Sequence, residues 1–171
     1  MFTIFFIPYA MSNVYLSLGS NLGDRKRNLE NAVGEIGRCC GEITACSSFY
    51  ATAPWGFLSS NEFINIAVAI RTSLEPEILL DTLQNIERNA GRQTKSQNGY
   101  EDRPLDIDIL FYDDKILQTE RLTIPHPHLH HRLFVLIPLA EIAPSLTHPV
   151  LQKTVFDLLP KCPDHSQVVS I

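Results

Sequence analysis

Several features that would commit a chain to a class are missing. No apolar run approaches the roughly 20 residues a membrane-spanning helix needs. The opening MFTIFFIPYAM is apolar for only its first several residues and lacks a basic flank, so it does not read as a secretory leader. Cysteine is scarce: Cys39, Cys40, Cys46 and Cys162 form no CxxC pair and no zinc-knuckle spacing, which points to reduced, intracellular thiols. Positive charge is also short, with 14 Lys and Arg against 19 Asp and Glu and a net charge of -5, which disfavours a sequence-independent grip on nucleic acid and leaves open a small anionic ligand held by a local basic loop. There is no GxxxxGK[ST] loop, so any nucleotide here is held by something other than a P-loop. Internal repeats, low-complexity runs and linkers are absent as well.

What is present is an ordinary globular composition, 44% hydrophobic and 19% charged over 171 residues, which excludes wholesale disorder and favours one core over two. The strand pattern starts after Met11, so residues 1–10 are expected to be an N-terminal extension and residues 11–171 a single domain. VYLSLG (14–19) alternates apolar and small residues as a strand does, and SNLGD ends it. A helix follows in DRKRNLENAVGEIGRC, with Leu29, Val33 and Ile36 at helical spacing behind the candidate caps Asn21 and Asp24. ITACSSFYAT and EFINIAVAIRT read as two strands able to pair antiparallel across the loop APWGFLSSN. EPEILLDTLQNIERNAG is an amphipathic helix with Pro76 in its first turn, Ile78, Leu79, Leu83 and Ile86 on one side, and Gly91 as its stop. A polar loop, 92–103, leads to a further strand. The order strand, helix, strand, strand, helix, strand predicts a ferredoxin-like α+β fold with helices on one face of an antiparallel sheet. Beyond it, LFVLIPLAEIAP reads as a short helix.

Chemistry concentrates in DRPLDIDILFYDD, residues 102–114. Side chains two apart in a strand share a face, roughly 6.6–7 Å from each other, so Asp106 and Asp108 look the same way while Leu105, Ile107 and Ile109 line the opposite face. Two carboxylates this close raise each other's pKa unless something positive neutralises them, and a hard cation is the simplest neutraliser. Arg92, Lys95 and Arg103 flank the adjoining loop. Metal on aspartates with guanidinium on a polyphosphate is the arrangement of phosphoryl transfer. The alternative is a solvated loop whose arginines pair with Glu101 and Asp102.

The histidines compete for attention, since His126, His128, His130 and His131 fall within HPHLHH and imidazole is the commonest zinc ligand. No HExxH helix accompanies them. A zinc hydrolase therefore stands behind a second reading, in which His126 and Arg132 donate to phosphate and His128, His130 and His131 are surface residues. A ligand-binding module without chemistry, in which Asp106 and Asp108 pair only with Arg92 and Arg103, is the third. Trp55, Phe63 and Phe134 are core by default and as a group can frame a flat ring. Asn65, two residues after Phe63, shares its face and offers a donor and an acceptor to a heterocycle edge.

Taken in order from about Tyr15 to Pro149, YLSLGSN, SSFYATAPWG, FINIAVAI, RPLDIDIL and IPHPHLHHRLFVLIPLAEIAP resemble the 6-hydroxymethyl-7,8-dihydropterin pyrophosphokinases of folate biosynthesis. The resemblance implies a ferredoxin-like core, ATP as co-substrate, two magnesium ions, and transfer of a pyrophosphoryl group to the pterin with release of AMP. It implies a cytoplasmic enzyme, expected as a monomer, with no nucleic-acid or membrane partner. By the same resemblance Asp106 and Asp108 hold the magnesium ions, Arg92 and Arg103 hold the ATP phosphates and take part in catalysis, and His126 and Arg132 assist. Phe63 and Phe134 stack the pterin, and Asn65 with Thr52, Ala53, Pro54 and Trp55 meets its edge. Two departures stand out. GYEDR replaces the Trp-Gly-Pro that many members carry before the arginine, which puts Tyr100 in the tryptophan's place, and Asp102 is expected to oppose phosphate beside Arg103.

Overall fold

A computed structural model describes residues 10–92 and 101–171. The expected contacts of Lys95 and Tyr100 lie outside the described residues, as do residues 1–9 of the proposed extension. Strand β1 (Ser12–Ser20) leads to helix α1 (Arg25–Cys39), strands β2 (Glu42–Cys46), β3 (Tyr50–Thr52) and β4 (Phe63–Thr72), helix α2 (Pro76–Asn89) and strand β5 (Asp106–Tyr112). A small hairpin of β6 (Leu117–Gln118) and β7 (Thr123–Ile124) follows, then helix α3 (Leu133–Ile142), hairpin β8 (Thr147–His148) and β9 (Lys153–Thr154), helix α4 (Val155–Leu158) and strand β10 (Val168–Ser170). The main sheet is antiparallel in the order β10-β3-β4-β1-β5, with β2 also paired to β4. This is the ferredoxin-like arrangement, with β1 and β4 at its centre.

Local signals explain the helices. Asp24 caps α1 by accepting from Arg27 N at 3.2 Å, satisfying one of the orphan donors of the first turn; Asn21 is not the cap. Leu29, Ala32 and Ile36 then fall on the sheet side. The turn out of α1 needs Gly41: its φ is +151°, and a Cβ there would stand 2.3 Å from the Arg71 carbonyl oxygen. In α2, Pro76 opens the helix and Leu79, Leu83 and Ile86 are buried, but Ile78 is 54% exposed, so the buried stripe starts one residue later than the spacing suggests.

ITACSSFYAT is two strands, not one. Ser47 interrupts it: its N donates to Ala67 O and its Oγ accepts from Ala67 N, each at 2.9 Å. Glu141 of α3 then gathers Ser48 N, Ser48 Oγ and the Tyr50 hydroxyl, which re-aims the chain into β3.

The helices also cover both faces of the sheet, where one face was expected. One layer is α1 and α2, packed on Leu16, Leu18, Ile64, Ile66, Val68, Ile70, Ile107 and Ile109. On the opposite side Val135, Leu136 and Leu139 of α3, with Val155 and Leu158 of α4, pack against Ala67, Leu110 and Phe111. Double coverage is why β4 is buried without alternation from Ile66 to Ile70, while nearer its start Phe63 and Asn65 are buried within a cavity on that second face. A bulge in β5, where Tyr15 faces Phe111 and Leu16 faces Ile109, puts Leu110 and Phe111 together under α3. Upstream of it Asp106 and Asp108 keep the regular alternation and turn toward the part of this face that α3 leaves uncovered.

Candidate active site

That uncovered end of the sheet is the floor of a cavity of about 330 Å³. Ser17 and Gly19 of β1, Phe63 and Asn65 of β4, and Asp106 and Asp108 of β5 form it. At Gly19 an added Cβ would come within 2.9 Å of Asn65 Oδ1 and 3.5 Å of the Phe63 ring, so glycine keeps the floor open where the aromatic and the amide meet. Asn65 is buried, and its Nδ2 donates to Thr52 Oγ1 at 2.9 Å, which fixes the orientation of the amide.

One half of the cavity is aromatic. Trp55 and Phe134 meet at a tilt of 56° with ring centroids 6.3 Å apart, and Phe57 meets Phe63 edge to face at 6.2 Å. Two arginines lie against these rings: the Arg132 guanidinium 4.6 Å from the Trp55 centroid and that of Arg103 5.4 Å from the Phe63 centroid. The other half is ionic. Asp106 Oδ1 is 2.6 Å from Arg92 Nη1 and Asp106 Oδ2 is 2.7 Å from Arg103 Nη2. Beside them His126 Nε2 lies 3.9 Å from Asp108 Oδ2. Burial alone would pull the Arg92 pKa down, but the charges of Asp106 and Glu87 outweigh it and hold Arg92 above its ordinary value.

The sequence pointed to a cation as the neutraliser of the aspartate pair. In this structure two guanidinium groups do that for Asp106, as the binding-module reading supposed, whereas Asp108 lies beside an imidazole. Among the described residues, those assigned to substrate or metal by the resemblance all line the cavity except Pro54: Thr52, Ala53, Trp55, Phe63, Asn65, Arg92, Arg103, Asp106, Asp108, His126, Arg132 and Phe134. The histidine run divides. His126 and His128 line the cavity, His128 as the exposed residue expected of it, while His130 and His131 lie outside. Among the described residues no three His, Cys, Asp or Glu side chains gather to hold a metal.

Sequence reasoning missed Ser17, Gly19, Phe57 and Glu101 on the walls and Glu87 behind them. Glu87, 4% exposed on the sheet side of α2, accepts from Arg92 Nη1 and from Ile107 N at 2.7 Å, and so joins α2 to the guanidinium and to the main chain between the two aspartates. The available signal was a glutamate one residue after Ile86 in the buried stripe. Asp102 also differs from expectation: it is absent from the cavity wall and its carboxylate is bonded to Asn21 and Asn61 instead.

A profile of the 7,8-dihydro-6-hydroxymethylpterin-pyrophosphokinase family matches residues 15–144. The chain is 47% identical to the 2-amino-4-hydroxy-6-hydroxymethyldihydropteridine pyrophosphokinase of Porphyromonas gingivalis over 81% of this chain and 95% of that one. To the enzyme of the same name from Aquifex aeolicus it is 37% identical over 88% and 92% of the two chains. Among solved structures it superposes on Plasmodium falciparum HPPK-DHPS with a TM-score of 0.74 at 18% identity, a likeness of fold. That match covers 89% of this chain and 43% of the larger one. With the profile spanning most of the chain and the relatives matching nearly end to end, the chain belongs to the 7,8-dihydro-6-hydroxymethylpterin-pyrophosphokinase family.

Proposed function

We propose that the aromatic half of the cavity takes 6-hydroxymethyl-7,8-dihydropterin and the arginine–aspartate half takes the polyphosphate of ATP. As a member of its family the chain is an ATP-dependent diphosphotransferase of folate biosynthesis. The pterin's hydroxymethyl oxygen attacks the β-phosphorus of ATP, the bond from that phosphorus to the oxygen bridging it to the α-phosphorus breaks, and AMP leaves. The observation that carries the division is the adjacency of two unlike surfaces, a wall of aromatic rings and a pair of guanidinium groups on a carboxylate, within one cavity.

Each residue then has a task that its position supports. Phe63 and Phe134 flank the pterin ring, while Asn65, oriented by Thr52, meets its polar edge with Ala53 and Trp55 nearby. Arg92 and Arg103 are held on Asp106 until ATP arrives and then pass to its phosphates, where their paired N–H donors match oxyanion geometry. His126 and Arg132 complete the cationic side. The donor chemistry fits magnesium: Asp106 and Asp108 offer hard carboxylate oxygens from one strand face, and this ion is usually bound by one or two carboxylates plus substrate phosphates rather than by a protein cage. We assign the two aspartates to two magnesium ions, which when bound neutralise phosphate charge and set the reacting oxygens in line.

The same reading takes the enzyme as a monomer of the cytoplasm with residues 11–171 as the domain. The test is purified protein with magnesium, ATP and the pterin, followed by nucleotide analysis. AMP and pterin pyrophosphate are expected in equal amounts. ADP in place of AMP would overturn pyrophosphoryl transfer, and sedimentation as a dimer would overturn the monomer.

A further inference from the structure

Asp102 stands where two cavity loops meet. Its Oδ1 accepts from Asn21 Nδ2 at 2.6 Å and its Oδ2 from Asn61 Nδ2 at 2.7 Å, while Ser59 Oγ accepts from Asn61 N at 3.1 Å. The nearby Ser59 hydroxyl, then the amides of Asn61 and Asn21 and the charge of Arg103, hold the carboxyl below its ordinary range against a partial desolvation. Asn21 completes the junction. It is 3% exposed, its Oδ1 accepts from Arg103 N at 2.7 Å, and its N donates to Arg103 O at 3.1 Å. One carboxylate therefore ties the end of loop 53–61, which carries Trp55 and Phe57, to the main chain of Arg103.

We propose that Asp102 is a positioning residue that couples the pterin side of the cavity to the phosphate side. The inference rests on the division of the cavity proposed above. A ligand between the rings holds Trp55 and Phe57 and so orders the loop that ends at Ser59 and Asn61. The ordered loop fixes Asp102, and Asp102 with Asn21 fixes the main chain from which the Arg103 guanidinium reaches into the cavity. Conformational freedom removed by the first substrate is then not removed again by the second, which makes their binding mutually favourable beyond what contact between the reacting groups contributes. The coupling needs an acceptor at position 102, because the groups that converge on it are side-chain donors and a carboxylate is acceptor-only.

The experiment is calorimetry of the pterin on the full chain, with and without magnesium and a non-hydrolysable ATP analogue, with melting temperatures measured alongside. In the natural protein the analogue is expected to tighten pterin binding by a factor within the roughly 5–150-fold range of coupled sites. In Asp102→Ala that factor falls toward one while each ligand still binds alone. Asp102→Asn opposes amide donors and behaves similarly. Combining Asp102→Asn with Asn61→Asp reverses donor and acceptor across the loops, leaves an amide oxygen for Asn21, and restores the factor. If Asp102→Ala does not fold, Asp102→Asn and the exchanged pair carry the comparison. An unchanged factor in the single variants, with or without a lower melting temperature, would overturn the proposal, as would a factor of one in the natural protein. A natural protein that releases AMP but shows no coupling defeats only this inference; one that forms no AMP defeats the functional reading and this inference with it.

Discussion

Alanine at Asp106 and alanine at Asp108 should have different effects on stability while both abolish turnover. Asp106 is 16% exposed at its side chain and is bridged to Arg92 and Arg103, whose side chains are 12% and 14% exposed. Removing one partner of a buried ion pair costs about 3–5 kcal/mol, because the remaining charge is left desolvated. Arg92 retains Glu87 and Arg103 retains the Glu101 carbonyl at 3.1 Å, which favours the lower end, about 3 kcal/mol. At about 2–4 °C per kcal/mol for a chain of this size, Asp106→Ala should lower Tm by about 6–12 °C. Asp108 has 31% side-chain exposure, with His126 at 3.9 Å, and it shares a strand face with another carboxylate. Its removal relieves repulsion as much as it loses attraction, so Asp108→Ala should stay within about 0.5 kcal/mol, or roughly 2 °C. The assay is calorimetric melting of each variant without metal, with AMP release measured at saturating magnesium and ATP. Equal Tm values for the two variants, or activity that merely follows the folded fraction of Asp106→Ala, would refute the reasoning.

Glu87→Gln should weaken the bonds to Arg92 and Ile107 N and cost about 1.5–3 kcal/mol in urea unfolding, with a lower kcat, since a buried charged acceptor is replaced by a neutral one. His148 is buried with its Nδ1 accepting from Val150 N and Leu151 N, and burial, then the nearby His130, hold its pKa below the usual histidine value. The unfolded state then binds the proton more readily, so Tm should be level above about pH 7 and fall as pH drops below about 6.5, less steeply in His148→Gln. Burial, and secondly the neighbouring Cys39, push the Cys40 thiol up to about 12, so iodoacetamide at mild alkaline pH should label exposed Cys39 and spare Cys40 until the protein is denatured, as read by peptide mass spectrometry.

Legibility in the sequence followed how local each cause was. The helix stops and caps at Asp24, Pro76 and Gly91 act within a turn, and the facing of Asp106 and Asp108 follows from strand geometry alone. The break at Ser47 was hidden because Glu141, which re-aims the chain there, comes from the opposite layer far along the sequence. Coverage of the second face was hidden for a related reason: α3 is apolar at every position but Glu141, so periodicity gave it no preferred side. Of the site, residues belonging to long motifs could be named in advance. Glu87 and Asp102 could not, because their value lies in what they bond, Arg92 in one case and a pair of asparagines in the other.

The position of β4 between two layers bears on how this protein can evolve. Alternate residues of this ten-residue strand answer to different demands: Ile64, Ile66, Val68 and Ile70 to the interior beneath α1 and α2, Ala67 to the space left by α3, and Phe63 and Asn65 to whatever enters the cavity. A library of substitutions along it should therefore show tolerance with a period of two, with abundance in the cell reporting one register and catalytic fitness the other. Drift in ligand preference runs through Phe63 and, at Asn65, through a change that also satisfies Thr52, whereas size at Ala67 is closed to the lineage unless α3 changes in step. A strand shared in this way lets selection on substrate and selection on folding act on neighbouring codons with little interference.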